Sequence, residues 1–205
     1  MIIHLVAWSF RGDVPANERV TIDAGLARGR DIAQARTFAI SENGSPVRAD
    51  GLTHAYLATF ADRDALAAYQ RDERHAPVGR RLADASAQLM VLDLECKPED
   101  APPERWRGLR HCVIWSFKEG TTEAEEREVV DSLYAARVVK PTLSLAVGRC
   151  LGLSSRTSGK THLQVTTYED YAGLEEFRAD SVLHAPSGLR LQKYTAGTTV
   201  IDVVD

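Results

Sequence analysis

All six histidines of this 205-residue chain fall into pairs, His4 with His111, His54 with His162 and His75 with His184, at spacings of 107, 108 and 109 residues. An imidazole with its ordinary pKa of about 6.5 is available in neutral form as a proton acceptor near pH 7. Such a group suits removal of a proton from carbon beside a carbonyl. A neighbouring phenol, for which Tyr69 is the candidate, can then hydrogen-bond the enolate that develops.

The nearly constant spacing makes the chain a duplicated unit. His4-Leu5-Val6-Ala7-Trp8-Ser9-Phe10 recurs as His111-Cys112-Val113-Ile114-Trp115-Ser116-Phe117, and His75-Ala76-Pro77 recurs as His184-Ala185-Pro186. Between such islands the repeats diverge: 53–71 and 161–179 share five identities in nineteen positions, two of them the Thr-His starts.

The elements that must position these residues repeat as well. An alternating strand puts His4, Val6, Trp8 and Phe10 on one face and Ile3, Leu5 and Ala7 on the other. Pro15 opens a helical stretch carrying Val20, Ile22, Leu26 and Ile32, and a strand follows near 36–41. A third strand, 53–60, leads through Asp62 as N-cap into a helix with Leu66 and Tyr69 on one face, which Pro77 interrupts. A short second helical piece precedes a fourth strand, 88–95. In the second half the same order reads as strand 109–118, helix 121–139, strand 142–153, strand 160–168, helix 170–180 and strand 197–204. This βαββαβ order predicts an α+β, ferredoxin-like repeat over 1–95 and another over 109–205, joined by a proline-rich linker at 96–108. Helices cover one side of each four-stranded sheet. The other side, apolar in strands 1 and 4, predicts sheet-to-sheet packing into an intramolecular, pseudo-dimeric α/β barrel.

Composition narrows the function classes. A net charge of −4 and a pI near 5.9, with mixed charges and no basic stripe, argue against nucleic acid as a partner. No apolar run approaches the roughly 20 residues of a membrane span, and the opening decapeptide lacks a basic leader and a cleavage site, so a cytoplasmic location is expected. Three cysteines without a CxxC pair fit a reducing compartment and disfavour thiolate metal binding. No metal or organic cofactor is expected. Trp8 and Trp115, with Phe10 and Phe117, read as barrel core, and His4 and His111 as structural hydrogen-bonders or pocket residues. Strand and helix lengths bring His75 back toward the start of the 53–60 strand, where His54 lies, and put His4 at the opposite end.

The opening histidine strand (His4, His111), the Thr-His strand starts (Thr53-His54, Thr161-His162) and the aromatic before a histidine (Tyr69 with His75, Phe177 with His184) resemble the Dabb family of stress-responsive dimeric α/β barrels, in tandem form over nearly the whole chain. Here Pro77 and Pro186 follow that last histidine by two residues, whereas the family's usual proline precedes it. One branch of the family is similar to plant polyketide cyclases. The resemblance implies His75 as catalytic base, Tyr69 as its assistant and His54 as the accompanying strand histidine. It implies a second site at His184 and His162, where Phe177 replaces the phenol. The leading expectation is therefore a cofactor-independent, polyketide-cyclase-like enzyme that closes a small β-keto substrate by an aldol or Claisen-type step. Two alternatives stand beside it: a non-catalytic stress-responsive barrel binding a small apolar ligand, and an oxygenase of the related barrel type. The partner is a small molecule, and the internal pairing leaves room for a further homodimer.

Overall fold

A computed structural model describes residues 1–45, 49–104 and 107–205. The first repeat comprises β1 (Ile2–Phe10), α1 (Ala16–Ala27), β2 (Ala35–Glu42), β3 (His54–Phe60), α2 (Arg63–Arg71), α3 (Ala76–Ala85) and β4 (Ser86–Glu95). The second comprises β5 (Leu109–Phe117), α4 (Glu123–Ala135), β6 (Ser144–Arg149), β7 (His162–Tyr168), α5 (Tyr171–Arg178), α6 (His184–Tyr194) and β8 (Thr195–Val204). Each forms an antiparallel four-stranded sheet, in the orders β2-β3-β1-β4 and β6-β7-β5-β8. These are two ferredoxin-like α+β units.

The alternation along β1 assigns its two faces. Ile3, Leu5 and Ala7, with Leu57 and Leu92, share one continuous core with Cys112, Ile114, Val165 and Ile201 of the other sheet. Ile2, Val6 and Trp8 turn the opposite way and pack with Ile22, Leu66 and Leu82 of the covering helices. Every strand of β1 type is thus buried on both faces, which explains its unbroken apolar character. Removal of this much apolar surface from water, at about 1.5–3 kcal/mol per large side chain, is what holds the two sheets together.

Local signals account for most element ends. The Asp62 carboxylate accepts from the Ala65 N–H at 2.8 Å and starts α2, as Asp170 does for α5 at 3.0 Å. A reciprocal Thr122–Glu125 capping box starts α4. Three expectations need correction. Pro77 does not break a helix: α2 has already ended at Arg71, and Pro77 sits in the first turn of α3, where its missing N–H costs nothing. Val20 does not join the core but is 67% exposed on α1. Strand 142–153 is too long, since β6 stops at Arg149. Beyond it, the Leu151 N–H donates to the Asp93 carbonyl and the Val91 N–H to the Arg156 carbonyl, both at 2.8 Å. The segment has left its own sheet to cover the edge strand β4 of the other repeat.

The same crossing occurs at the opposite seam. Gly44 N–H donates to the Asp202 carbonyl at 3.1 Å, and Asp202 N–H to the Asn43 side-chain oxygen at 2.9 Å. Gly44 has no Cβ because the Tyr171 hydroxyl occupies that place. Within the linker, Pro98–Asp100 forms a 3-10 turn, and Asp100 accepts from the Tyr134 hydroxyl at 2.9 Å. Among the described residues, no helix is long and apolar enough to cross a membrane.

Because one core serves both sheets, Leu57→Ala should cost about 2–5 kcal/mol and lower the stability of both repeats together. Urea unfolding followed by tryptophan fluorescence and by far-UV circular dichroism should show one coincident transition; separated transitions would show two independent cores.

Candidate active site

β1 carries His4 on its helix-facing side, level with Ala58 of β3 and Asp93 of β4. Both His4 and Asp93 are buried, and Asp93 is the buried carboxylate of β4, whose Glu95 is exposed. A buried carboxylate needs a partner. His4 supplies it: Nδ1 lies 2.6 Å from the Asp93 carboxylate, and Nε2 lies 3.0 Å from the Tyr56 hydroxyl. Tyr56 in turn faces the hydroxyl of Tyr69 on α2. Burial raises both phenols far above their ordinary pKa, so they stay protonated donors.

His75 stands at the α2–α3 break, its ring 4.3 Å from that of Tyr69 between centroids. Burial, with His4 next in importance, lowers its pKa to about 4, leaving the imidazole neutral near pH 7. His4, Tyr56 and His75 line one cavity of about 610 Å³. Val6, Leu89 and Val91 supply its apolar floor.

The expected partnership of His75 with His54 is not what the structure places there. His54 pairs with Trp8 across β1–β3, four residues or about 13 Å along the strand from the level of His4. It stacks on the Trp8 indole at 5.5 Å, is hydrogen-bonded to Thr53, and lines a separate hollow with Asp23 and Glu42. The length argument fails because α2 has only nine residues, a rise of about 13 Å. The chain then turns at Asp72, so His75 stops beside His4. Tyr69 is fully buried beneath the site, and the phenol that faces the cavity is Tyr56.

The second repeat keeps the histidine–aspartate pair, with His111 Nδ1 2.6 Å from Asp202. At the positions that match Tyr56 and Tyr69 it has no phenol. Gln164 takes the place of Tyr56 and bonds to Thr166 at 3.0 Å, while Phe177 lies 4.6 Å from the His184 ring. His162 repeats the environment of His54, stacked on Trp115 and bonded to Thr161. A compensating change shows why the phenol belongs to one repeat only. A Cβ at Gly29 would lie 2.6 Å from the Tyr69 hydroxyl and 2.7 Å from the Phe38 ring. The matching position is Ala136, and it meets Phe177, which has no hydroxyl.

Tyr56, Asp93, Gly29 and the crossing segment 151–156 were not legible as site residues from the sequence alone. Asp93 and Asp202 did carry a signal: each is a charge at buried parity in an apolar strand, repeated in both halves. Among the described residues, no three histidine, cysteine, aspartate or glutamate side chains converge as ligands for one metal ion.

Comparison with known proteins decides the family. The model of the Stress responsive A/B Barrel Domain, Dabb, matches residues 2–96 and again 109–205. The chain belongs to the Dabb family. Among solved structures, a candidate monooxygenase from Fusobacterium nucleatum is similar over 99% of this chain and 91% of its own, with a TM-score of 0.68 and 11% identity. Another candidate monooxygenase, from Lactobacillus acidophilus, covers 99% of this chain and 92% of its own, with a TM-score of 0.61 and 8% identity. An anthrone oxidase-like protein gives a TM-score of 0.55 at 14% identity over 100% of this chain and 91% of its own. At such identities these likenesses establish the tandem barrel fold alone. No curated protein sequence matches the chain.

Two expectations test this Dabb site. Gly29→Ala should cost about 1–3 kcal/mol by crowding Tyr69 and Phe38. Adding Tyr69→Phe should recover part of that loss in urea titrations. The second concerns pH. His162, buried and ordinarily titrating at 6.5, is lowered to about 4, chiefly by burial and then by Arg149. The unfolded chain takes up this proton near pH 6.5, but the folded chain does so only near 4. Its contribution is therefore complete above 6.5 and declines as pH falls toward 4, by on the order of 2–3 kcal/mol. Melting temperatures between pH 7 and 4.5 should fall less steeply in His162→Gln.

Proposed function

We propose that this Dabb protein is a polyketide-cyclase-like enzyme that works without a cofactor, removing a proton beside a carbonyl and closing a small β-keto substrate on itself. The observation that carries this reading is the meeting of neutral His75 with the Asp93–His4–Tyr56 chain at one half-apolar cavity. The family match and the low-identity structural likenesses are compatible with it but do not distinguish among reactions.

His75 is the proton acceptor. Its neutral lone pair is available at every pH well above 4. Tyr56 is the oxygen-side group. When His4 carries both ring protons, one directed at Asp93 and the other at Tyr56, the phenol proton is free to point into the cavity toward a carbonyl oxygen. The carbon–hydrogen bond breaks toward His75, and charge collects on the oxygen held by Tyr56. The enolate carbon then forms a carbon–carbon bond to a second carbonyl of the same molecule. The resulting alkoxide takes back the proton from His75, so the step is neutral overall. Tyr69 keeps Tyr56 and His75 in place from beneath. His54 stays outside this chemistry, as an aromatic-stacked side chain bordering its own hollow. His184 and His162 belong to a second repeat without phenols at the positions of Tyr56 and Tyr69, and we assign it the weaker activity.

Ring closure of heptane-2,4,6-trione to 5-methylresorcinol, in which the aldol adduct loses one water, tests the reading when followed by chromatography of the phenol. His75→Gln should lower the protein-catalysed rate by about 100-fold or more, and Tyr56→Phe by about 10- to 100-fold, with both variants folded. His184→Gln should have a small effect. Unchanged rates in His75→Gln, or no catalysis by the unaltered protein, would leave a ligand-binding barrel as the better account. Oxygen consumed in proportion to substrate would instead identify oxygenation of the same carbanion.

A further inference from the structure

The cavity in the first repeat is lined in part by residues of the second. Leu153, Ser154, Ser155 and Arg156 line it, although they lie beyond β6 in the other half of the chain. They are held by the main chain, through Leu151 N–H to the Asp93 carbonyl and Val91 N–H to the Arg156 carbonyl. Asp93 is also the residue that orients His4. The segment is therefore attached to the same strand that carries the proposed chemistry, and its position follows that of the site.

Two positive charges stand on this wall. Arg156 and Arg80, the latter on α3, both line the cavity, and neither guanidinium has an ion-pair or hydrogen-bond partner among the described residues. Neighbouring Arg81, by contrast, is bidentate to Glu18 at 2.8 Å. Asp84 also lines the cavity, one helical turn from Arg80, and competes for it. No carboxylate of the crossing segment competes for Arg156. Along the cavity wall, then, a guanidinium from the second repeat faces the space above Val6, Leu89 and Val91, with the imidazoles and Tyr56 beyond. A planar, always-charged fork of this kind recognises carboxylates by paired hydrogen bonds. In the second repeat, Leu189 stands where α3 carries Arg80.

We propose that the cavity selects substrates bearing a carboxylate, which Arg156 binds with help from Arg80, so that the second repeat supplies the specificity of the site in the first. The proposal deepens the cyclase reading by naming its substrate class, and it rests on that reading for the role of the bound ketone. The carboxylate end lies at Arg156, the apolar body crosses the floor, and the ketone reaches His75 and Tyr56.

The test separates binding from chemistry. Dissociation constants for 4-acetylbenzoate and for uncharged 4-methylacetophenone, which share one aryl ketone body, are measured by calorimetry or ligand-observed NMR. The unaltered protein should prefer the carboxylate by about five- to tenfold, as for a partly exposed charge-assisted pair. Arg156→Gln should abolish most of that preference while leaving 4-methylacetophenone unchanged, and Arg80→Gln should reduce it less. Only the main chain of Arg156 is used in strand pairing, so the variant should keep its melting temperature. His75→Gln should keep the preference even as ring closure is lost. A protein that shows the Arg156-dependent preference but closes no ring would retain the carboxylate site and lose the cyclase reading. Equal affinity for the two probes, absence of binding by both at millimolar concentration, or a preference indifferent to Arg156 would overturn the proposal.

Discussion

Everything in this molecule depends on two sheets burying their bare faces against each other. A four-stranded ferredoxin-like sheet covered on one side only leaves Ile3, Leu5, Leu57 and Leu92 facing water, and the other repeat offers Ile114, Val165 and Ile201 to meet them. The resulting contact is non-directional and tolerant in detail. What gives it a single register are the directional bonds at the seams, where Asp93 and Asp202 each receive an N–H from the segment that the opposite repeat sends across. Those two aspartates also pin His4 and His111. Assembly of the barrel and orientation of the imidazoles are consequently one event.

The duplication then explains how one repeat can specialise. Both copies must keep the histidine–aspartate pair, because removing either partner leaves a buried polar group unpaired. The residues around the pair are free to change in coordinated sets. Gly29 with Tyr69 and Phe38 forms one set, in which the absent methyl makes room for a hydroxyl. Ala136 with Phe177 forms the other, in which the methyl is present and the hydroxyl is gone. Tyr56 completes a hydrogen-bonded chain from Asp93, whereas Gln164 closes on Thr166 and ends it. The first repeat thus holds a chain of proton-carrying groups from the core to a cavity, while the second holds the same scaffold with that chain interrupted.

The fold was legible because its signals are periodic and occur twice. Histidine spacing disclosed the duplication, the two-residue alternation of β1 disclosed its faces, and an apolar sheet face with no helix to cover it disclosed the pairing of repeats. The site was only partly legible. Tyr69 and His75 do lie together, but the companion of His75 is His4 rather than His54, since an error of one helical turn in α2 moves its end by about 5 Å. Sequence distance also conceals the seam. Arg156 reaches the cavity of a repeat from which the linker, β5, α4 and β6 separate it in sequence, and no local pattern in Leu151–Arg156 announces that crossing. The sequence clue to this arrangement is the buried parity of Asp93.

A half-buried, neutral His75 at the cavity imposes an electrostatic cost that the rest of the site must offset. Burial lowers the basicity of His75, which by itself weakens it as a proton acceptor. The same burial makes each hydrogen bond to a developing enolate stronger than it would be in water. In the proposed reaction a base of low pKa needs an oxygen-side donor held in advance, and Tyr56 is held between His4 and Tyr69. In the proposed reaction, His184, likewise lowered by burial, stands beside Phe177 without a phenol at the positions of Tyr56 and Tyr69. On this reasoning the asymmetry between the repeats follows from the pairing of base and donor, since the two copies share their backbone and their histidines and differ in what stands opposite them.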